Sequence, residues 1–467
     1  MIVMKFGGTS VGSAKRIRDA ANLILKSQKK HDVVVVVSAM SGVTDLLVAA
    51  AHAAAQKSTA KQSKNLKLIQ ERYLEALPGL KLSPQAEAAT KAIIDDKISD
   101  LKQLLTSIAV LGELTPRALD TILSFGERMN IHLVATAIDN AGGRAAPLEA
   151  SDFILTDSRF GNARPNLNKS KRRTKSAITP LLKKKIIPVV TGYIGANKNG
   201  VITTLGRGGS DYSATIIGSC LDAGAIWIWT DVDGVMTADP KMVKGARTIA
   251  GLNYNEAAEL SYFGAKVLHP STMIPAALKN IPIFIKNTFK PDLAGTKISG
   301  KTRKNGSSSK AIATIGSLSL ITVQGKGMLG VPGVAARVFS AIASKGTNVL
   351  FISQASSEYN ISFVIKHEDG QRAVKTLQDE FKMELAAKTI ETVKIEEKLA
   401  IVAVVGEGMR GHPGIAGEIF SALGAVKINI RAIAQGSSER NISFVINEKE
   451  VPKAVKSIHD EFHLAKV

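Results

Sequence analysis

Apolar residues gather first in short unbroken runs: Ile2–Phe6 (IVMKF), Val33–Val37 (five valines), and residues 186–190, 226–229 and 281–285. Such runs, rich in Val and Ile, suit strands of a parallel sheet buried on both faces. Between several of them the apolar spacing turns helical. Residues 13–30 place Ile17, Ala20, Ala21 and Ile24 on one face. Residues from about 49 to 111 are rich in Ala, Lys, Leu and Gln and read as a helical insertion. The pattern predicts an α/β domain with a mainly parallel sheet covered by helices over residues 1–295.

A polar, glycine- and serine-rich basic stretch, GTKISGKTRKNGSSSK, follows at 295–310, and 296–310 reads as a linker. Beyond it lies an internal repeat. Residues 325–365 align on 406–446 without gaps at an offset of 81, with 22 of 41 positions identical. Each copy predicts a strand, a proline-initiated helix, two strands and a further helix, as in a ferredoxin-like βαββαβ module. The modules are placed at 311–390 and 391–467, with the tail FHLAKV available to complete the earlier sheet.

Composition narrows the class. The chain of 467 residues is 45% hydrophobic and 22% charged, enough for two or three cores. One cysteine, Cys220, excludes an internal disulfide framework or cysteine metal cluster and fits a cytoplasmic setting. Neither a signal peptide nor a membrane span is expected. The net charge of +21 favours anionic partners. No acidic residue lies between Asp157 and Asp211, and the basic run KSKRRTK at 169–175 reads most simply as a solvated helix face. With 5% aromatic residues and none within 169–185, nucleic-acid binding is not expected.

Three glycine-rich turns carry candidate chemistry. KFGGTSVGS places Lys5 at a strand end before Gly7-Gly8 and a helix, a phosphate-binding context that departs from a P-loop because Ser13 stands where its lysine belongs. TTLGRGGSDYSA (203–214) surrounds Arg207 with flexible backbone ahead of Ser210 and Asp211, suited to a carboxylate or phosphate. TDVDGVMTADP (230–240) follows an apolar strand; Val235 breaks the calcium-loop pattern, so no metal cage is expected. Both repeat copies also contain G-x-G-x-x-G, but no acidic residue follows at the spacing a ribose requires, which argues against a dinucleotide site.

Together KFGGTS, VSAMSGVT, LSFGERM, TTLGRGGSDYSA, WTDVDGVMTADP and YFGAKVLHP resemble the aspartate kinases in order and spacing, over nearly the whole chain. The resemblance implies the amino-acid kinase fold, paired ACT domains, and phosphorylation of the aspartate side chain by MgATP, with Mg2+ arriving on the nucleotide. It implies Lys5, Arg207 and Asp211 as catalytic residues. Ser38, Thr44, Glu127, Arg207, Gly208, Gly209 and Ser210 would bind the substrate. Lys5, Gly7, Gly8, Ser10, Thr230, Asp231, Met236, Lys241, Lys266 and Val267 would bind ATP, with Gly7 and Gly8 giving backbone donors. Met236 and Lys241 depart from the tyrosine and arginine common in relatives.

For control, the resemblance points to threonine as effector through Met328, Asn348, Gln354, Asn429 and Gln435. It also implies a homodimer or homotetramer through the ACT domains, and a monofunctional enzyme. The alternatives are another enzyme of the same fold and a non-catalytic amino-acid sensor; intact Lys5, Arg207 and Asp211 weigh against the sensor.

Overall fold

A strand covered by helices on both faces has no polar side to offer, and the apolar runs of the first half meet that condition. They form β1 (Ile2–Phe6), β2 (Val33–Val37), β3 (Ala145–Leu148), β4 (Ile187–Thr191), β5 (Ile194–Ala196), β6 (Ile202–Thr204), β7 (Ala225–Thr230), β8 (Gly251–Asn253), β9 (Ile283–Asn287) and β10 (Thr296–Ser299). Every residue of β1, β2 and β4 is buried. Eight of these strands make one sheet in the order β3-β4-β2-β1-β7-β9-β10-β8, parallel except between β9 and β10. Strands β5 and β6 pair separately as an antiparallel ribbon. The expected mainly parallel α/β sheet is confirmed in this computed structural model, which describes residues 1–264, 268–300, 311–354 and 359–466.

The helices are α1 (Ala14–Gln28), α2 (Val43–Ala55), α3 (Thr59–Leu74), α4 (Ala76–Gly79), α5 (Pro84–Leu111), α6 (Pro116–Asn140), α7 (Leu167–Lys183), α8 (Gly209–Cys220), α9 (Tyr254–Tyr262) and α10 (Pro270–Ala277). Helix α6 has clear local start signals. Thr115 caps it, its side chain accepting from the Ala118 N–H, and Pro116 opens its first turn. Fifteen of its residues are buried, so it is a core helix rather than a surface one. At Gly126 a Cβ would lie 2.6 Å from the Ala39 Cβ, so the helix reaches the end of β2 only because that position is glycine.

The chain separates into two units. The first comprises Met1–Val235, Ala250–Ala258 and Val267–Thr302; the second comprises Met236–Ile249, Glu259–Lys266 and Arg303–Val467. The expected linker is corrected at its start: Thr296–Ser299 is strand β10, with Ile298 fully buried. Its apolar alternation is hidden by the basic, glycine-rich residues around it. Residues 301–310 lie outside the described part.

In the second unit the repeat forms β11 (Ala311–Gln324), α11 (Val334–Ser344), β12 (Phe351–Gln354), β13 (Asn360–Lys366), α12 (Gly370–Glu380), α13 (Lys382–Ala386), β14 (Thr392–Val405), α14 (Ile415–Ala425), β15 (Ala432–Ala434), β16 (Asn441–Asn447) and α15 (Val451–Glu461). They make one antiparallel sheet ordered β12-β13-β11-β14-β16-β15. The two 14-residue strands β11 and β14 pair along their length with an irregularity near Leu318. The first half of β14 therefore supplies the fourth strand beside β11 and β13, while the first half of β11 flanks β14 and β16.

The expectation that the C-terminal tail completes the earlier sheet is corrected accordingly. Leu464 is buried in the second module's own core, within a short 3-10 turn. That core also takes Ala238 and Val243 from the Met236–Ile249 segment, and Thr237 shares a buried 3.0 Å hydrogen bond with His459. Strands β12 and β15, at opposite ends of the sheet order, approach each other where the Ser353 hydroxyl donates to the Ile433 carbonyl (3.4 Å).

The close approach of α6 generates a prediction. Gly126→Ala forces its new methyl into Ala39, and overpacking of this kind costs about 1–3 kcal/mol. Urea unfolding should show a lower midpoint with an unchanged slope; an unchanged midpoint would mean that the helix is free to shift.

Candidate active site

The carboxyl ends of parallel strands are where ligands gather in such sheets, and here β1, β2 and β7 end around Lys5. It occupies the penultimate position of the buried central strand β1 and is 8% exposed. A lysine so placed requires a counter-charge. Asp211 supplies it from the first turn of α8, its Oδ1 2.6 Å from Lys5 Nζ. Gly208 starts that helix with φ of 69°, and at Gly209 a Cβ would stand 2.5 Å from the Tyr193 ring. The GRGGSD glycines thus let the backbone turn into α8 beneath a packed aromatic.

Around the ion pair lies a cavity of about 400 Å3. Lys5, Ser38, Thr44, Glu127, Arg207, Gly208, Gly209, Ser210 and Asp211 all line it, and Gly161, Tyr193 and Gly206 complete the wall. The Ser38 and Ser210 hydroxyls are hydrogen-bonded at 2.9 Å, and Arg207 is exposed at the rim. Glu127 is 3% exposed, and its Oε2 has no hydrogen-bond partner. Burial pushes its carboxyl up to about 8, against opposing hydrogen bonds from Ala39 and its own backbone and the charge of Lys5. The cavity therefore joins a fixed ammonium, a solvent-facing guanidinium, the hydroxyls of Ser38, Thr44 and Ser210 and the carboxyl of Glu127 with an unpartnered oxygen. Chemically it suits a small zwitterion bearing an additional acid group.

The glycine turn after β1 is partly corrected. The Gly7 N–H donates to the Trp229 carbonyl at 3.1 Å, so here it serves the turn. Gly8 is required for a different reason: its Cβ would lie 2.8 Å from the Ala39 carbonyl oxygen. Ser10 is fully buried, and its hydroxyl shares a 2.6 Å hydrogen bond with Thr288. It fastens the turn to the residue just past β9 and does not face a ligand. A 3-10 turn over Gly8–Val11 intervenes before α1 begins.

Thr230 ends β7, its hydroxyl donating to Asp231 at 3.2 Å. Asp233 is pinned by Lys290 at 3.0 Å and by Asn287, and these hydrogen bonds hold its carboxyl below the usual range. Met236 and Lys241 belong to the second unit. Lys266 and Val267 lie outside the described residues. Of the regulatory set, Gln354 ends β12 and Gln435 follows β15, both exposed, as are Asn348 and Asn429. Met328 is corrected: it is 3% exposed within the first module's core, as Met409 is in the second's.

Sequence reasoning missed Gly161, Tyr193 and Gly206. The signal for Tyr193 was an aromatic following the glycine after β4, where the chain takes a left-handed turn (φ 69°). It also passed over the polar line on α6 that includes Asp120 and Asn130. Both are buried; Asn130 Nδ2 donates to the Ser38 carbonyl at 2.6 Å.

Comparison with known proteins accords with this architecture. The amino acid kinase family pattern matches residues 1–287, and the ACT domain pattern matches 321–381 and 402–462. The bifunctional aspartokinase/homoserine dehydrogenase of Haemophilus influenzae is 37% identical over 98% of this chain and 56% of its own length. The chain thus spans about half the length of the bifunctional relatives it matches. The chloroplastic aspartokinase 2 of Arabidopsis thaliana is 34% identical over 98% of this chain and 84% of its own.

Aspartokinase III of E. coli superposes with a TM-score of 0.82 in its complex with aspartate and ADP and 0.81 in that with lysine and aspartate. The identities are 29% and 30%, with 99% of both chains covered. With its first 287 residues and its duplicated modules matched to these patterns, and aspartokinases similar to it over nearly its whole length, the chain belongs to the amino acid kinase family and, within it, to the aspartokinases.

Proposed function

We propose that this protein transfers the γ-phosphoryl group of MgATP to the side-chain carboxylate of L-aspartate, giving 4-phospho-L-aspartate, the first step of the aspartate-derived amino acid pathway. The observation that carries the reading is the convergence of Lys5, Asp211, Arg207 and Glu127 on one cavity. A carboxylate nucleophile is already ionised at neutral pH, so the site needs no general base. Positioning and charge stabilisation remain, as in other phosphoryl transfers.

Lys5, held by Asp211, faces the charge on the transferring phosphoryl group. Arg207 grips a carboxylate as a planar fork, and Glu127 takes the substrate ammonium. Ser38, Thr44 and Ser210 complete the hydrogen bonding. Mg2+ is carried in on the nucleotide phosphates, its usual mode of binding. Thr230 and Asp231 are assigned to the nucleotide. The likeness to a structure solved with aspartate and ADP supports both substrates. We place the enzyme in the cytoplasm and expect a homodimer or homotetramer through the ACT modules.

Gln354 and Gln435 occupy equivalent positions on the two edges that meet at Ser353 and Ile433. An amide offers donor and acceptor to a small hydroxylated amino acid, and we assign threonine as the effector. It must bind one global state better than the other to inhibit.

The reaction itself is open to direct trapping. Hydroxylamine should capture an acyl phosphate in the presence of MgATP and L-aspartate, and Lys5→Ala should reduce turnover by about 100-fold or more. Equal turnover in the two proteins would remove Lys5 from the mechanism.

The raised carboxyl of Glu127 makes aspartate binding pH-dependent, because only the ionised form meets an ammonium. Aspartate KM should fall as pH rises from 6 towards about 8. The stability contribution runs the other way. A pKa raised from 4.5 to about 8 favours the folded state fully below the lower value and is lost as pH climbs through the upper one. Glu127→Gln should therefore gain thermal stability relative to wild type at pH 8 but not at pH 5. A parallel offset at both values would contradict the assignment.

Threonine should inhibit cooperatively, and Gln435→Ala should move the half-inhibitory concentration up by about tenfold. Inhibition by lysine with none by threonine would overturn the effector assignment.

A further inference from the structure

Beside the cavity lies a buried carboxylate that the proposed transfer does not use. Asp120, on α6, is 1% exposed and among the described residues forms no ion pair. It accepts instead from three groups on two separate stretches of chain. The Gly161 N–H reaches both its oxygens, at 3.0 and 2.9 Å. The Thr204 N–H donates at 2.8 Å to one oxygen and the Thr204 hydroxyl at 2.8 Å to the other.

Both stretches are walls of the cavity. Gly161 lines it directly, and Thr204 ends β6 three residues before Arg207. The two also touch each other. The Ala163 N–H donates to the Thr204 carbonyl at 2.9 Å, and a Cβ at Gly206 would lie 2.7 Å from Asn162 Oδ1. Glu127 sits seven residues beyond Asp120, two turns along the same helix face.

We infer that Asp120 is a positioning residue that sets the distance between Arg207 and Glu127, and so the length of amino-acid substrate the cavity accepts. The inference rests on the reading of this cavity as the aspartate site. A carboxylate is suited to the task where its amide is not. Both its oxygens accept, whereas asparagine would turn an NH2 towards an N–H donor already in place. Burying an unpaired charge is costly, and the fold alone could be served by a neutral residue here. Holding the Gly161 N–H on both oxygens while also accepting the Thr204 hydroxyl takes the second acceptor of a carboxylate. The helix then works as a ruler: its rigid two-turn spacing fixes the ammonium end relative to the carboxylate end.

The test uses the full chain with Asp120→Asn and, in case that variant folds poorly, Thr204→Val, which removes one donor only. Aspartate KM should rise about 10- to 100-fold in Asp120→Asn and severalfold in Thr204→Val, with ATP KM within about twofold of wild type, because a displacement near 1 Å has effects of this size. Amide hydrogen exchange at Gly161 and Thr204 should accelerate in both variants while α6 stays protected. Unchanged exchange overturns the clamp. Faster exchange with unchanged aspartate KM, or equal losses for aspartate and ATP, reduces Asp120 to a structural role and overturns the inference. A wild-type protein without aspartate turnover would sink the proposed function instead, and the exchange measurement would still decide whether Asp120 holds the two loops.

Discussion

The site depends on one constraint: a helix must cross the core while carrying polar groups inward. Helix α6 does so with Asp120, Ser124, Glu127 and Asn130, all buried. Each such group needs a partner or a task. Asp120 spends its acceptors on two loops, Ser124 donates to its own helix at the Thr121 carbonyl, and Asn130 holds the end of β2 through Ser38. Glu127 Oε2 and Asn130 Oδ1 are left without hydrogen-bond partners, but of the two residues only Glu127 lines the cavity and can carry charge into it. Tyr73, whose hydroxyl donates to the Gly126 carbonyl, is fully buried and close enough to feel the charge of Glu127. The cost of desolvating Glu127 is what keeps it receptive.

The other charges divide along the same logic. Lys5 and Asp211 form an ion pair in a nearly dry setting, while Arg207 stays in solvent at the rim. A fixed ammonium and a solvated guanidinium do different work. The first is preorganised for charge that develops during transfer, and the second is free to meet an incoming acid group. The net charge of +21 supports the capture of anions at long range, but its field falls off within a screening length.

Much of this was legible in the sequence, because strand runs and glycine turns have short-range causes. The valines of β2, Lys5 at the end of β1 and the GRGGSD turn into α8 needed no tertiary information. What escaped did so for tertiary reasons. Whether the Gly7 amide faces a ligand depends on Trp229, more than two hundred residues away. The burial of Ser10 depends on Thr288, and that of Met328 on the packing of a module core. Asp120 looks like any surface acid in the run PRALDTIL, and only the arrival of Gly161 and Thr204 shows its use. The linker composition concealed β10 because its partners, β9 and β8, are set by topology.

The exchange of strand halves between β11 and β14 bears on how the chain could be divided. A cut between the two modules leaves each lacking a strand that the other half of the chain owns. A cut before residue 303 leaves the second module's core without Ala238 and Val243, which arrive from far upstream. The repeat looks like two beads on a string when written as letters, yet in three dimensions it behaves as a woven piece. Recombination could graft or remove these modules only as a pair, and only together with a strip of the sequence that precedes them.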